Sequence, residues 1–260
     1  MEFQPADMND LKKAKSLLEN PGLAIKITHL LGVPIEMGFR LLPDDWNMKV
    51  LEITQIALTR AIHLAAATMK DTPNSHASNS LHKIVVAATG SVGGFFGLAT
   101  LAMELPVSTT LMLRSIMDIA RSEGEHIHDG ETKFACMEVF AMGGANDSDN
   151  AAESGYFAVR AALARSVANA AQYIAEKGLA EEGAPALVRL IARIAQRFSI
   201  QVSQKAAAQA APAIGAAGGA LINTLFMDHF QDMARGHFII RRLERKYGPE
   251  TVKAKYNAIR

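Results

Sequence analysis

The sequence predicts an all-α protein, a single multi-helix bundle with two central Gly/Ala-rich helices. Three observations predict it. Apolar residues recur at helical spacing through most of the 260 residues, and no stretch alternates with period two for the length of a strand. Two long runs are nearly free of charge and rich in Gly and Ala, as helices enclosed by other helices are. Hydrophobic residues make up 49% and charged residues 20%, a balance that excludes a disordered or collagen-like chain.

The elements follow in order. Asp7 is placed to cap a first helix carrying Leu11, Ala14, Leu17 and Leu18, and Asn20-Pro21 restarts the chain. Gly22 to Leu31 reads as a short helix ended by Gly32-Val33-Pro34. After Pro43, Asp44 or Asp45 caps a long helix with Trp46, Val50, Ile53, Ala57, Ala61 and Leu64 on one face. Asp71 to Ser75 has loop composition. From Ile84 to Leu113 the only ionisable residue is Glu104, and Pro106 predicts a kink or restart just beyond it. Gly124 ends that segment, and a short helix over Thr132 to Met142 stops at Gly143-Gly144. An Ala-rich helix over Gly155 to Glu176 follows, with Gly178 as its C-terminal cap, then a long helix from Ala184 through Gln209 interrupted at Pro212. A second uncharged run, Ala206 to Met227, leads into a charged helix ending at Gly248-Pro249.

Several segments stand out as motifs: Gly93-Gly94-Phe95-Phe96-Gly97, Glu104-Leu105-Pro106-Val107-Ser108, Leu113-Arg114-Ser115 through Arg121, and Cys136 to Gly144. Pro212 to Ala216, Asn223-Thr224-Leu225-Phe226, Met233 to Phe238 and Arg242-Leu243-Glu244 complete the pattern. Together they resemble the EcsC family of bacterial proteins. The likeness spans about residues 40 to 250, which divides the chain into an N-terminal helical segment (1–40), an EcsC-like domain (40–250) and a tail helix (250–260) within one structural unit. The family takes its name from a gene beside an ABC transporter. The resemblance implies an all-helical fold and ABC transporter components as candidate partners, and it implies no specific chemistry.

Physical chemistry narrows the remaining possibilities. Ile84 to Met103 and Ala206 to Met227 reach the roughly 20 residues that cross a bilayer as a helix. Gly90, Gly93, Gly94 and Gly97, with Gly215 and Gly219, stand at small-xxx-small spacings that let backbones approach closely. Both runs are made largely of Ala, Gly, Ser and Thr, and neither is flanked by an aromatic belt, so burial inside a bundle competes with insertion. Arg189, Arg193 and Arg197 form an i, i+4, i+8 row beside apolar neighbours, either a solvated outer face or a surface for anionic lipid. With 27 basic against 26 acidic side chains and no aromatics among those arginines, nucleic-acid binding is not expected.

Glu104, alone in its apolar surroundings, requires a partner: an internal ion pair with Arg114 or another arginine, or a proton-transfer or ligand role. Ser108, Arg114 and Asp118 continue its helical stripe, and Asp118 has Arg121 within reach at i, i+3. Asn223, Phe230, His237 and Glu244 recur every seven residues on one face. The candidate ligand pocket is therefore Glu104, Ser108, Arg114, Asp118, Glu138, Asn223 and His237, with Glu104 and His237 as the catalytic candidates.

No cofactor and no metal are expected. Were a metal held, its ligands would come from Glu104, Glu138, His229 and His237. The Glu123-x-x-His126 and Glu125-x-x-His128 spacings straddle Gly124 in a loop, so their side chains need not share a face. Cys136 sits among apolar residues like an inert core thiol, and neither Gly-x-Ser-x-Gly nor a phosphate-binding loop is present.

The lone cysteine and the charges at Glu2, Asp7, Asp10, Lys12, Lys13 and Lys15 point to a cytoplasmic setting, and the uncharged runs beside basic helices to a place peripheral to the inner membrane. The function predicted is non-enzymatic action at or near a membrane, beside a transporter or on a hydrophobic ligand. The alternatives are a hydrolase or metal-dependent enzyme using Glu104, Glu138 and His229 or His237, and a structural interaction module.

Overall fold

The computed structural model describes residues 2–19, 22–32, 35–68, 97–143, 155–177, 185–210 and 215–259. Among these it is all-α, with ten α-helices and no strand. They are α1 (Pro5–Leu18), α2 (Leu23–Leu31), α3 (Ile35–Phe39), α4 (Trp46–Thr68), α5 (Gly97–Ser122), α6 (Gly130–Glu138), α7 (Gly155–Lys177), α8 (Pro185–Ala210), α9 (Gly215–Tyr247) and α10 (Pro249–Ala258). A 3-10 turn, Val139–Ala141, extends α6. Gly90, Gly93, Gly94, the Asp71–Ser75 loop, Gly178 and the break at Pro212 lie outside the described residues.

Helix ends follow local chemistry. Pro5 and Pro249 open α1 and α10, where their missing N–H is not needed. Gly32 closes α2 in a left-handed conformation (φ 63°), its N–H bonded to Thr28 O. Asp7 is not the cap of α1. It lies within the first turn and accepts hydrogen bonds from Lys246 Nζ (2.7 Å) and Tyr247 Oη (2.6 Å). Those donors hold its carboxyl below the usual carboxylate range.

Pro106 does not restart α5, which runs unbroken through it. Proline removes the hydrogen bond to the carbonyl four residues earlier, here Ala102, and Ala102 is exposed, where water replaces the lost donor. Thr110 Oγ1 donates to Pro106 O at 2.7 Å within the same turn.

The long helix α9 is the centre of the bundle, packing against α1, α2, α5, α8 and α10. Glu104 meets Asn223, Ser115 meets Gln231 and Glu123 meets Arg242, so α5 and α9 run parallel. Phe198 lies against Phe226 and Phe230 while Lys205 reaches back towards Asn223, so α8 is antiparallel to α9. Phe140, Phe198, Phe226 and Phe230 interlock at ring-centroid distances of 4.8–6.0 Å and tie the 3-10 turn to α8 and α9.

Two glycines permit close helix contacts. A Cβ at Gly38 would stand 1.8 Å from Ala207 O, and one at Gly236 would stand 2.6 Å from Leu18 Cγ. Gly97 and Gly215 each open a long helix, and Gly219 is buried near the start of α9.

Candidate functional site

Where the N-terminal turns of α5 and α9 meet the C-terminal turns of α8, Lys205 Nζ donates to Glu104 Oε1 at 2.6 Å. Asn223 Nδ2 donates to the same oxygen at 3.0 Å, and Gln209 Nε2 reaches Asn223 Oδ1 at 3.5 Å. The side chain of Lys205 is 0% exposed and that of Glu104 7%. Burial draws the Lys205 ammonium below its ordinary range, with Glu104 opposing the shift.

The Glu104 partner is thus a lysine and not an arginine. Of the predicted pocket residues, Glu104 and Asn223 are brought together. Ser108 is buried and donates to Leu105 O (3.2 Å), and Asp118 pairs with Arg121. Arg114 is half-buried farther along α5. These polar groups stabilise the helix and its neighbours without forming one pocket.

Glu138 and His237 belong to a second cluster, at the other end of α9. His237 is fully buried, and its Nδ1 lies 3.0 Å from Tyr156 Oη. Arg160 Nη1 donates to Tyr156 Oη (3.3 Å), and Arg160 grips both oxygens of Glu244 at 2.7 and 3.0 Å. Burial and then the positive charges of Arg160 and Arg241 keep His237 far below its usual range, so its imidazole is neutral.

Nearby, Arg241 bonds both Glu125 oxygens (2.9 and 3.5 Å) and Glu131 (3.1 Å), and Arg245 also pairs with Glu125. Burial pushes the Glu125 carboxyl up, but the two arginines outweigh it and leave it below normal. Two adjoining clefts open over this network, with volumes of about 560 and 730 Å³, and they share Arg160, Arg241 and Glu244.

Glu138 lines the first cleft. It is 7% exposed, has no hydrogen-bond partner among the described residues, and burial lifts its carboxyl to about 7. His229 is separate from this cluster. It packs against Gly143 with neither ring nitrogen bonded among the described residues, and burial, aided by Lys26, lowers it to about 3. Cys136 is fully buried, and its thiol is pushed upward by burial. No cluster of three or more His, Cys, Asp or Glu able to hold a metal occurs among the described residues. Glu104, Glu138, His229 and His237 do not converge on one point.

A third feature is a surface. Arg189 and Arg193 are exposed on α8 and Arg197 is half-buried. One turn on, Ile200 is 48% exposed beside a shallow trough of about 340 Å³ shared with Phe39 and Leu51. Met37, Phe39, Leu41 and Met48 are exposed on α3 and the start of α4, while Met103, Val107 and Leu221 are exposed beside the Glu104 cluster. These positions share one end of the bundle. Trp46 Nε1 donates to Ser203 Oγ (2.8 Å), and Gly38 abuts Ala207, two residues from Lys205. Among the described residues, no helix is long and apolar enough to cross a membrane.

Lys205, Arg160 and Tyr156 are the site residues that motif reading passes over. Lys205 carried a signal, being the only ionisable residue between Phe198 and Met227, the counterpart of Glu104 in the other apolar run.

The fold and its clusters define an all-helical protein whose buried polar groups are mostly matched in pairs and whose two ends differ in character. Residues 39–243 match the EcsC protein family, and the chain belongs to that family. No curated protein and no solved structure matches it.

Proposed function

We propose that the protein is a non-enzymatic, peripheral membrane protein that rests on anionic lipid at the cytoplasmic face of the inner membrane. One observation carries the reading: the basic row of α8, exposed at Arg189 and Arg193, runs towards the apolar end formed by α3, α4 and Ile200. Apolar side chains that enter the headgroup boundary, next to arginines that meet lipid phosphates, make a surface-binding element without a spanning helix. Each basic residue held near an anionic leaflet adds about 1 kcal/mol. At the opposite end many charges are held in internal ion pairs, among them Asp7–Lys246, Asp10–Arg242 and Glu125–Arg241. Transporter components at the same membrane are the partners this placement would serve.

Co-sedimentation with phosphatidylglycerol vesicles tests the reading. Wild type pellets with anionic vesicles and less so in high salt, whereas the Phe39→Ser/Met48→Ser variant and the Arg189→Gln/Arg193→Gln variant remain in the supernatant. Protein that stays unbound with every lipid composition contradicts the proposal.

A further inference from the structure

The cleft that holds Glu138 has a division of labour along its walls. Phe157, Ala161, Ala164, Ala168 and Ala171 follow one another at helical spacing along α7 and give it an apolar wall. At its polar end, Arg160 is fully engaged by Glu244 and Tyr156, and Arg241 by Glu125 and Glu131. Lys253, the third cation of the cleft, stands over the Phe157 ring at 5.7 Å, so each of the three is already held in a contact of its own. The group left over is Glu138, 7% exposed as a residue, lining the cleft and without a hydrogen bond among the described residues. A buried acid without a donor is costly unless something supplies one.

We propose that this cleft binds a small amphipathic cation, a primary ammonium joined to an apolar chain, with the ammonium on Glu138 and the chain along the alanine face of α7. At about 560 Å³ the cleft is in the size range of small-molecule sites, with the alanine face of α7 on one side and charged side chains, Glu138 among them, on the other. An ammonium provides up to three donors to a carboxylate that has none, and the burial of Glu138 strengthens that bond.

The charged groups acting on Glu138 are Arg160 from α7, Arg241 and Glu244 from α9 and Glu131 from its own helix, with Glu250 and Lys253 of α10 on the rim. Their effects do not overcome burial, so the free carboxyl loses its proton near pH 7. Binding the ammonium thus strengthens with rising pH, by roughly tenfold between pH 6 and pH 8 as the ionised fraction grows.

Isothermal titration of the full chain with octylammonium, octanol and octanoate, in the absence of any membrane, is the test. The account requires saturable binding of octylammonium alone, tightening about tenfold from pH 6 to 8. Glu138→Gln should weaken it at least tenfold and erase the pH dependence. Ala164→Lys, which leaves Glu138 intact but puts a like charge on an exposed part of the wall, should weaken it as well. Equal binding of octanol or octanoate, octylammonium binding unchanged in Glu138→Gln, or no saturable binding to wild type would overturn the proposal. Because no vesicle is present, that failure is independent of the membrane reading.

Discussion

Glu104 and Lys205 illustrate how two lone charges settle in an apolar core. Burial closes Lys205 off from solvent and leaves Glu104 little of it, so each depends on the other, and Asn223 also donates to the carboxylate. Removing one member leaves the other buried without its counter-charge, which costs about 3–5 kcal/mol. Urea unfolding should therefore show Glu104→Gln and Lys205→Met each strongly destabilised, and the double variant less so than the sum of the two. Additive losses would show that the pair is not coupled.

The need for a partner to Glu104 was legible in the sequence, since thirty residues around it contain no other charge. The identity of that partner was not, because helix periodicity says which residues share a face and nothing about which distant helix lies opposite. Glu138 gives a pH signature of its own. Its carboxyl is raised from 4.5 to about 7, so its contribution to stability is fully present below pH 4.5 and is lost as pH rises through 7. The difference amounts to roughly 3 kcal/mol. Glu138→Gln should accordingly be more stable than wild type at pH 8 and nearly equal to it at pH 4.5, measured by denaturant midpoint. His229 behaves in the opposite sense. Its stability contribution is present above pH 6.5 and lost as pH falls towards 3, so its NMR resonances should not titrate between pH 8 and pH 5.

Among the elements, α5 shows that a proline signal is conditional. Pro106 would break a helix at a site where the freed carbonyl is buried, but Ala102 faces solvent, so sequence alone could not decide between kink and continuity. The glycine pattern was similarly incomplete. Gly90, Gly93 and Gly94 lie outside the described residues, and the tight approaches among the described ones fall at Gly38 against α8, Gly236 against α1 and Gly143 against His229. Gly38→Ala should separate α3 from α8, because the added methyl would overlap a backbone oxygen that has no freedom to rotate away. The loss should be at least 2 kcal/mol, about the cost of overpacking a core, and should appear as faster proteolysis between residues 32 and 46. Retained protection there would contradict the packing described.

For the molecule as a whole, the relevant feature is polarity along the axis of α9. Its first turns lie among apolar side chains and the single buried pair, and its last turns are clasped by Asp7, Asp10, Glu123 and Glu125 from α1 and the end of α5. Charge counting gave part of this picture, since residues 123–153 are acidic and 235–260 basic. It did not show that Glu123, Glu125 and Glu131 of the first segment pair with Arg241, Arg242 and Arg245 of the second. The all-α class was readable from periodicity alone, whereas the Glu138 cleft required four helices to be assembled before its unmatched carboxylate could be recognised.

The orientation on a membrane follows from that asymmetry and can be measured directly. In a Cys136→Ser background, an environment-sensitive fluorophore is attached at Met48→Cys in one sample and at Glu250→Cys in another. Phosphatidylglycerol vesicles should shift the Met48→Cys emission to the blue and leave the Glu250→Cys emission where it was. Equal shifts at both positions, or none at Met48→Cys, would contradict the account.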